Sequence, residues 1–374
     1  MPEFVPGLAL SGRFYHEAVR PVLDAYFPEL SHSAALIGGG SEVLGFDTPV
    51  SADHHWGPRA LLFLGEADHT NHAESIRDEL RRHLPHQFLD WPTNFADPDL
   101  KDHGTQLLHA TTSGPVNHRV EVLTLRGYFL DFFGFDAQEP LDTIDWLTFP
   151  TQKLRAITAG AVFHDAVGLA DVRARLGWYP RDVWFYLLAA GWQRIGEEEH
   201  LMGRAGQVGD EVGSALIAGR IVRDLMRLCF LMERQYAPYP KWYGTAFARL
   251  EAAGPLSSLL WQALRAEAWP ERDRVLGEAY AVVAQMHNAL GLTEPLPTVA
   301  QPFFGRPFSV IFGERYANAL RARIQDPSLS PIPLLIGGID QWSDSTEVLT
   351  AAGLRARLKT LYYPAGDAAD DGRA

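Results

Sequence analysis

Cysteine is almost missing from this chain, since Cys229 is the only one among 374 residues. One thiol cannot form an internal disulfide, so no disulfide framework is expected, and the setting RLCFLM reads as a small core position. Long apolar runs are missing as well. No segment approaches the roughly 18 consecutive apolar residues that a membrane span requires, so no span is expected. The opening MPEFVPGLAL carries an acid and two prolines where a secretory peptide has a basic start and an apolar stretch, which points to the cytoplasm. Positive charge is scarce. Against 46 Asp and Glu stand 33 Lys and Arg, leaving a net charge of −13 that works against holding a long phosphate backbone. Bulk nucleic acid is therefore not an expected partner, whereas a local basic pocket for one nucleotide stays open.

Several common motifs are absent too. GGGSEVLG lacks the third glycine of the dinucleotide fingerprint, no GxxxxGK[ST] occurs, and Val43 stands where a GxSxG nucleophile elbow needs glycine. There is no HExxH and no paired CxxC.

What is present is the composition of a globular protein, 47% hydrophobic and 21% charged, at a length that favours two domains. Leu10, Phe14, Ala18, Val22 and Tyr26 recur every four residues and predict an opening helix, with Pro21 as a possible bend. SAALIGGGSEVLG reads as a short strand entering a glycine turn, RALLFLG as a second strand, SIRDELRRHL as a helix and HRVEVLTLRGYFL as a further strand. Beyond Phe149, Pro150 and Thr151 the period becomes helical almost throughout, which places a domain boundary there. The expected division is 1–150, a helical 151–364, and a small, acidic, disordered tail at 365–374. Asp344 followed by Glu347 has capping-box spacing and reads as a helix start.

The chemistry concentrates in one stretch. Gly40-Ser41 is followed after eleven residues by Asp53, His54 and His55, and later by Glu121 between Val120 and Val122. On an extended segment Asp53 and His55 share a face while His54 points away. Gly39, Gly40 and Ser41 offer backbone N–H groups and a hydroxyl to a phosphate, because no side chain blocks approach at the glycines.

In these parts the chain resembles the DNA polymerase β-like nucleotidyltransferase superfamily, whose pattern is a Gly-Ser turn, about a dozen residues, an acid-x-acid pair and a third acid on a later strand. GGGSEVLGFDTPVSADHHWGPR, GWYPRDVW and QYAPYPKWYGTAF resemble, more narrowly, a bacterial branch labelled a domain of unknown function. The resemblance implies an α+β fold, a nucleotidyltransferase-like mixed-sheet domain followed by an all-α helical domain. It also implies transfer of a nucleoside monophosphate from an NTP to a hydroxyl of a small molecule or protein, with Mg2+ or Mn2+ as the cation. Carried over by position, Gly39, Gly40 and Ser41 hold phosphates, Asp53 and Glu121 are the catalytic acids, and Asp53, His55 and Glu121 form the metal set.

His55 departs from the pattern, which calls for an acid there. Imidazole suits manganese or zinc better than magnesium and removes one negative charge from the site. The alternative is thus a catalytically impaired nucleotide-binding protein of the same fold, unless Glu42 or Asp47 compensates. Arg220, Arg223 and Arg227 share a helix face that suits either a triphosphate or a solvated acid-paired surface; Lys241 in YAPYPKWYG can reach a phosphate beside Tyr239 and Trp242. Arg220 and Lys241 complete the expected nucleotide contacts. Of Glu197, Glu198 and Glu199, at most one can be functional, since consecutive helical residues do not share a face. Asp-His-His also names a class of manganese phosphoesterases, but those carry further aspartate motifs before the triplet, and here only Asp24 and Asp47 precede it.

Overall fold

The computed structural model describes residues 3–52 and 54–363, so Asp53 and the expected tail at 365–374 lie outside the described residues. The chain forms two compact units, Met1–Pro140 with Lys153–Gly177, and Leu141–Gln152 with Trp178–Ala374. The residues Phe149, Pro150 and Thr151 fall in the short stretch of the second unit that precedes the return at Lys153. The architecture is α+β, a mixed sheet with helices in the first unit and a helix-rich second. Among the described residues no helix is long and apolar enough to cross a membrane.

The first unit opens with α1 (Gly7–Phe14), which continues through a π-helical turn (Tyr15–Val19) into α2 (Arg20–Tyr26). Pro21 has no N–H and its ring crowds the carbonyl four residues back, and the widened turn, where Arg20 N donates to Tyr15 O, relieves that conflict. Leu10, Phe14, Ala18 and Val22 are buried, whereas Tyr26 has drifted off the face and is exposed.

There follow β1 (His32–Leu36), β2 (Arg59–Leu64), α3 (Glu66–His83), a hairpin of β3 (Gln87–Phe88) and β4 (Trp91–Pro92), then β5 (Arg119–Thr124) and α4 (Leu125–Phe133). Past α5 (Asp145–Thr148), which belongs to the second unit, α6 (Thr151–Thr158) returns the chain to the first unit at Lys153, followed by β6 (Ala161–His164) and α7 (Leu169–Arg175). The sheet order is β5-β2-β1-β6, with β2 parallel to β5 and both neighbours of β1 antiparallel to it. β1 is buried along its whole length, as a central strand must be, while β5 alternates and leaves Glu121 outward. Leu10, Phe14, Val19, Leu62, Ile76, Leu80 and Val122 pack into one apolar core between sheet and helices.

HRVEVLTLRGYFL is not one strand. The period of two ends at Thr124, whose hydroxyl accepts from Gly127 N at 3.0 Å and caps α4, and Gly134 closes that helix at φ +76.

The second unit is built on α8 (Arg181–Gln207) and α9 (Glu211–Met232), joined by α10 (Pro240–Phe247), α11 (Ala253–Arg265), α12 (Trp269–Ala289) and α13 (Gly313–Arg321). A small ladder of β7 (Gln301–Pro302) and β8 (Ser309–Val310) precedes α13, and α14 (Ile339–Trp342), α15 (Thr346–Thr350) and α16 (Arg355–Lys359) follow it. Helix α8 packs against α9, α12 and α13. A Cβ on Gly313 would stand 2.7 Å from Gly196 N, so the α8–α13 crossing depends on both glycines. Cys229 is buried in α9, in keeping with a core position.

Candidate functional site

Of the residues expected to bind phosphate, Gly39, Gly40 and Ser41 form the turn after β1, and Ser41 is buried. Gly38 (φ +90) and Gly40 (φ +133) adopt backbone that side chains rarely enter, and Gly38 N donates to Ala156 O at 2.9 Å, which anchors the turn to α6. Gly39 is exposed and has nothing within 4 Å of where a Cβ would lie, so one side of the turn is open. Gly40 is different, because an added Cβ would meet Arg59 Nη2 and Glu42 Oε2 at 2.6 Å.

Residues 54 and 55 are a turn rather than an extended strand, and His55 is left-handed at φ +58. Gly57 (φ +146) and Pro58 delay β2 until Arg59, so strand alternation does not govern the triplet. His54 is exposed, with Nε2 at 3.4 Å from Asp102 Oδ2. His55 faces inward, where Arg119 Nη1 donates to its Nδ1. Burial pushes the His55 imidazole below its ordinary value, and the charges of Arg119 and Arg59 push the same way. The ring is therefore neutral near pH 7, and with Nδ1 accepting, its proton sits on Nε2.

Around this pair the charges alternate. Arg59 donates to Glu42 Oε1 through Nε at 2.9 Å and to Gly39 O through Nη2 at 2.8 Å. Arg119 Nη2 lies 3.5 Å from Glu121 Oε1, and the Glu121 side chain is 46% exposed. In the parallel register Arg59 pairs with Arg119 and Leu61 with Glu121, which sets the two guanidinium groups side by side. Burial and the neighbouring Arg59 lower Arg119, as two close cations must.

Glu42 and Asp47, the acids able to replace the missing carboxylate, are both committed elsewhere. Glu42 is buried against Arg59, and Asp47 Oδ2 accepts from Gly7 N at 2.7 Å and from Trp56 Nε1 at 3.1 Å. Trp56 is core, stacked on Phe4 and edge-on to Trp91.

Among the described residues, His55 and Glu121 do not by themselves fit a dication pair. His55 offers no free lone pair in the tautomer its hydrogen bond selects, and a permanent cation, Arg119, stands against both His55 and Glu121. Among the described residues no group of three or more His, Cys, Asp or Glu is placed to hold a metal ion.

In the second unit the two expected nucleotide contacts lie on the surface. Arg220 is paired with Glu198 at 2.9 Å, and Lys241 rests 5.0 Å from the Trp242 ring, whose Nε1 donates to Tyr239 at 2.8 Å. Glu199 is buried and accepts from Ile311 N and Gly313 N, a structural role.

Arg223 and Arg227, on the same helix face, do meet a cavity of about 390 Å3. Trp146, Phe149, Tyr179, Phe230, Tyr236 and Tyr243 supply the aromatic part of its wall. Asp344 closes one side, taking Arg223 Nη1 on Oδ2 at 2.6 Å and Arg227 Nη2 on Oδ1 at 3.4 Å. The expected cap at Asp344 is thus corrected: Ser345 caps α15, accepting from Val348 N, and Asp344 is left to the arginines. No sequence signal linked residues 121 apart.

A domain of unknown function, DUF4037, matches residues 146–243, the stretch that carries these aromatic residues and both arginines. No curated protein matches the chain. Among solved structures, a nucleotidyltransferase-like protein from Exiguobacterium sibiricum aligns over 74% of this chain and 76% of its own at 11% identity, with a TM-score of 0.33.

Proposed function

We propose that the chain is a nucleotide-binding protein built on a nucleotidyltransferase plan, which holds a nucleoside triphosphate at the turn after β1 by side-chain cations in place of metal. The observation that carries this reading is Arg119, which contacts His55 and Glu121 at once. A guanidinium is charged at every working pH and presents paired donors that match phosphate oxygens. Arg59 adds a second cation, and the open side at Gly39 admits a phosphate to the backbone N–H groups of Gly39, Gly40 and Ser41.

Calorimetric titration of ATP, GTP, CTP and UTP, in EDTA and again with Mg2+ or Mn2+, tests this directly. The expected result is binding in EDTA within about threefold of that with metal, and a loss of roughly tenfold or more in Arg119→Ala. Binding that requires the metal would overturn it.

A second reading, transfer of the nucleoside monophosphate to a hydroxyl of a small molecule or protein with Mg2+ or Mn2+, is favoured by the half-exposed Glu121 carboxylate. It requires pyrophosphate release that Glu121→Gln abolishes and that His55→Asp raises with magnesium. Absence of pyrophosphate with every nucleotide, metal and acceptor offered leaves the binding protein.

A further inference from the structure

The second unit holds a cavity that the nucleotide reading does not use. Its volume of about 390 Å3 lies within the 300–1,000 Å3 range of small-molecule sites. Part of its wall is aromatic. Tyr179 and Tyr236 meet edge-on at 5.1 Å, Trp146 lies 5.8 Å from Tyr179, and Phe230 lies 5.3 Å from Tyr243. Such a wall offers faces and edges to a flat ring and little to a polar one.

The charged side sets two guanidinium groups, Arg223 and Arg227, against two carboxylates, Asp340 and Asp344. Arg194, Arg223 and Arg227 surround Asp224, which is buried and takes Arg227 at 2.9 Å and Arg194 at 3.2 Å. Asp344 lies on the cavity side of Arg223 and Arg227, so its displacement leaves both facing the cavity. Asp340, also on the wall, is held by Thr151, which donates to both of its oxygens at 2.8 and 3.1 Å, and its charge acts on Arg227.

Asp344 itself behaves as a guest would. Its two oxygens are divided between Arg223 and Arg227, as those of a bound carboxylate are, yet its side chain is 67% exposed. Ion pairs that an acid makes from an exposed position are weak, so this carboxylate is readily displaced. Arg223 Nε, by contrast, is buried without a hydrogen-bond partner, 3.7 Å from Asp224 Oδ1.

We propose that this cavity binds a small aryl carboxylate, its ring among Tyr179, Tyr236, Phe230 and Tyr243 and its carboxylate taking the place of Asp344 between Arg223 and Arg227. The site does not depend on triphosphate binding by the first unit, so either reading can fail alone.

The test titrates the full chain with 2-naphthoate and with its neutral isostere 2-naphthamide. Naphthoate is expected to bind at least about tenfold more tightly than the amide. Asp344→Asn removes the internal competitor and is expected to tighten naphthoate about threefold. Arg223→Gln is expected to weaken it about tenfold; Arg227 is not the choice, because its loss strips a partner from buried Asp224. Thermal melts check that each variant folds. Equal affinity for acid and amide, or no naphthoate binding to either wild type or a folded Asp344→Asn protein, overturns the proposal. AMP displacing naphthoate at lower concentration than naphthoate itself needs would reassign the cavity to a nucleotide and overturn it equally.

Discussion

Gly160 holds more of the first unit in place than its size indicates. It sits at φ +70, its N–H donates to Val43 O at 2.9 Å, and a Cβ there would drive into the carbonyl oxygen of Leu36, at the end of β1. Gly45 has nearly the same backbone, φ +68, but open space around it. Gly45→Ala therefore reports conformational strain alone, about 1–2 kcal/mol, whereas Gly160→Ala adds a backbone clash and is expected to cost roughly 2–5 kcal/mol. Urea unfolding of both variants separates the two effects, and equal costs would show that β1 yields to the methyl group. At this scale the sequence was half legible. The turn at Gly39, Gly40 and Ser41 and the strand that carries Glu121 could be placed from the sequence, because a strand followed by glycines has few conformations. Arg119 was missed although strand alternation puts it on the face of Glu121, two residues on. What hid it is that its consequence depends on His55, 64 residues away, and on a turn at residues 54 and 55 that no local pattern announces.

Elements were more legible than their ends. β1, β2, α3 and the opening helix follow from their periods, since burial of one face or both leaves a repeat in the sequence. HRVEVLTLRGYFL was read as one strand because its apolar residues continue past Thr124, while the cap that ends the strand is a single hydroxyl. Thr124→Ala removes the bond to Gly127 N and is expected to lower stability by about 1 kcal/mol, with Thr124→Ser or Thr124→Asp close to wild type. Thermal melts of the three variants check this, and a loss in the serine variant equal to that in alanine would assign the effect to packing of the methyl group. The same one-residue sensitivity appears at α15. Taking Asp344 as the cap instead of Ser345 would remove from the cavity an exposed carboxylate that pairs with both arginines.

At the scale of the whole molecule, buried ionisable groups in the second unit set opposing pH slopes. Burial pushes Glu199 up to about 7, against the pull of Gly313 N and Ile311 N, and pushes Asp273 up to about 6. Burial pushes His287 down to about 4, where its Nδ1 accepts from Trp192 at 3.2 Å. A raised acid binds protons in the folded state that the unfolded chain has released, so its contribution is full below the unfolded value and is lost as pH rises through the folded one. For Glu199 that loss runs from about 4.5 to about 7, while His287 gains stability over the interval from about 4 to about 6.5. The net charge of −13 adds a further, diffuse slope from self-repulsion. Glu199→Gln isolates one term, because every other group titrates alike in both proteins. Between pH 5.5 and pH 7.5 wild type loses the Glu199 contribution and the variant does not. The wild-type minus variant difference in unfolding free energy should thus fall by about 2 kcal/mol, taking 1.36 kcal/mol per unit over the interval up to about 7. Urea unfolding at the two pH values measures it. A difference that stays constant would mean that Glu199 is ionised throughout, its two backbone N–H donors having offset the cost of burial.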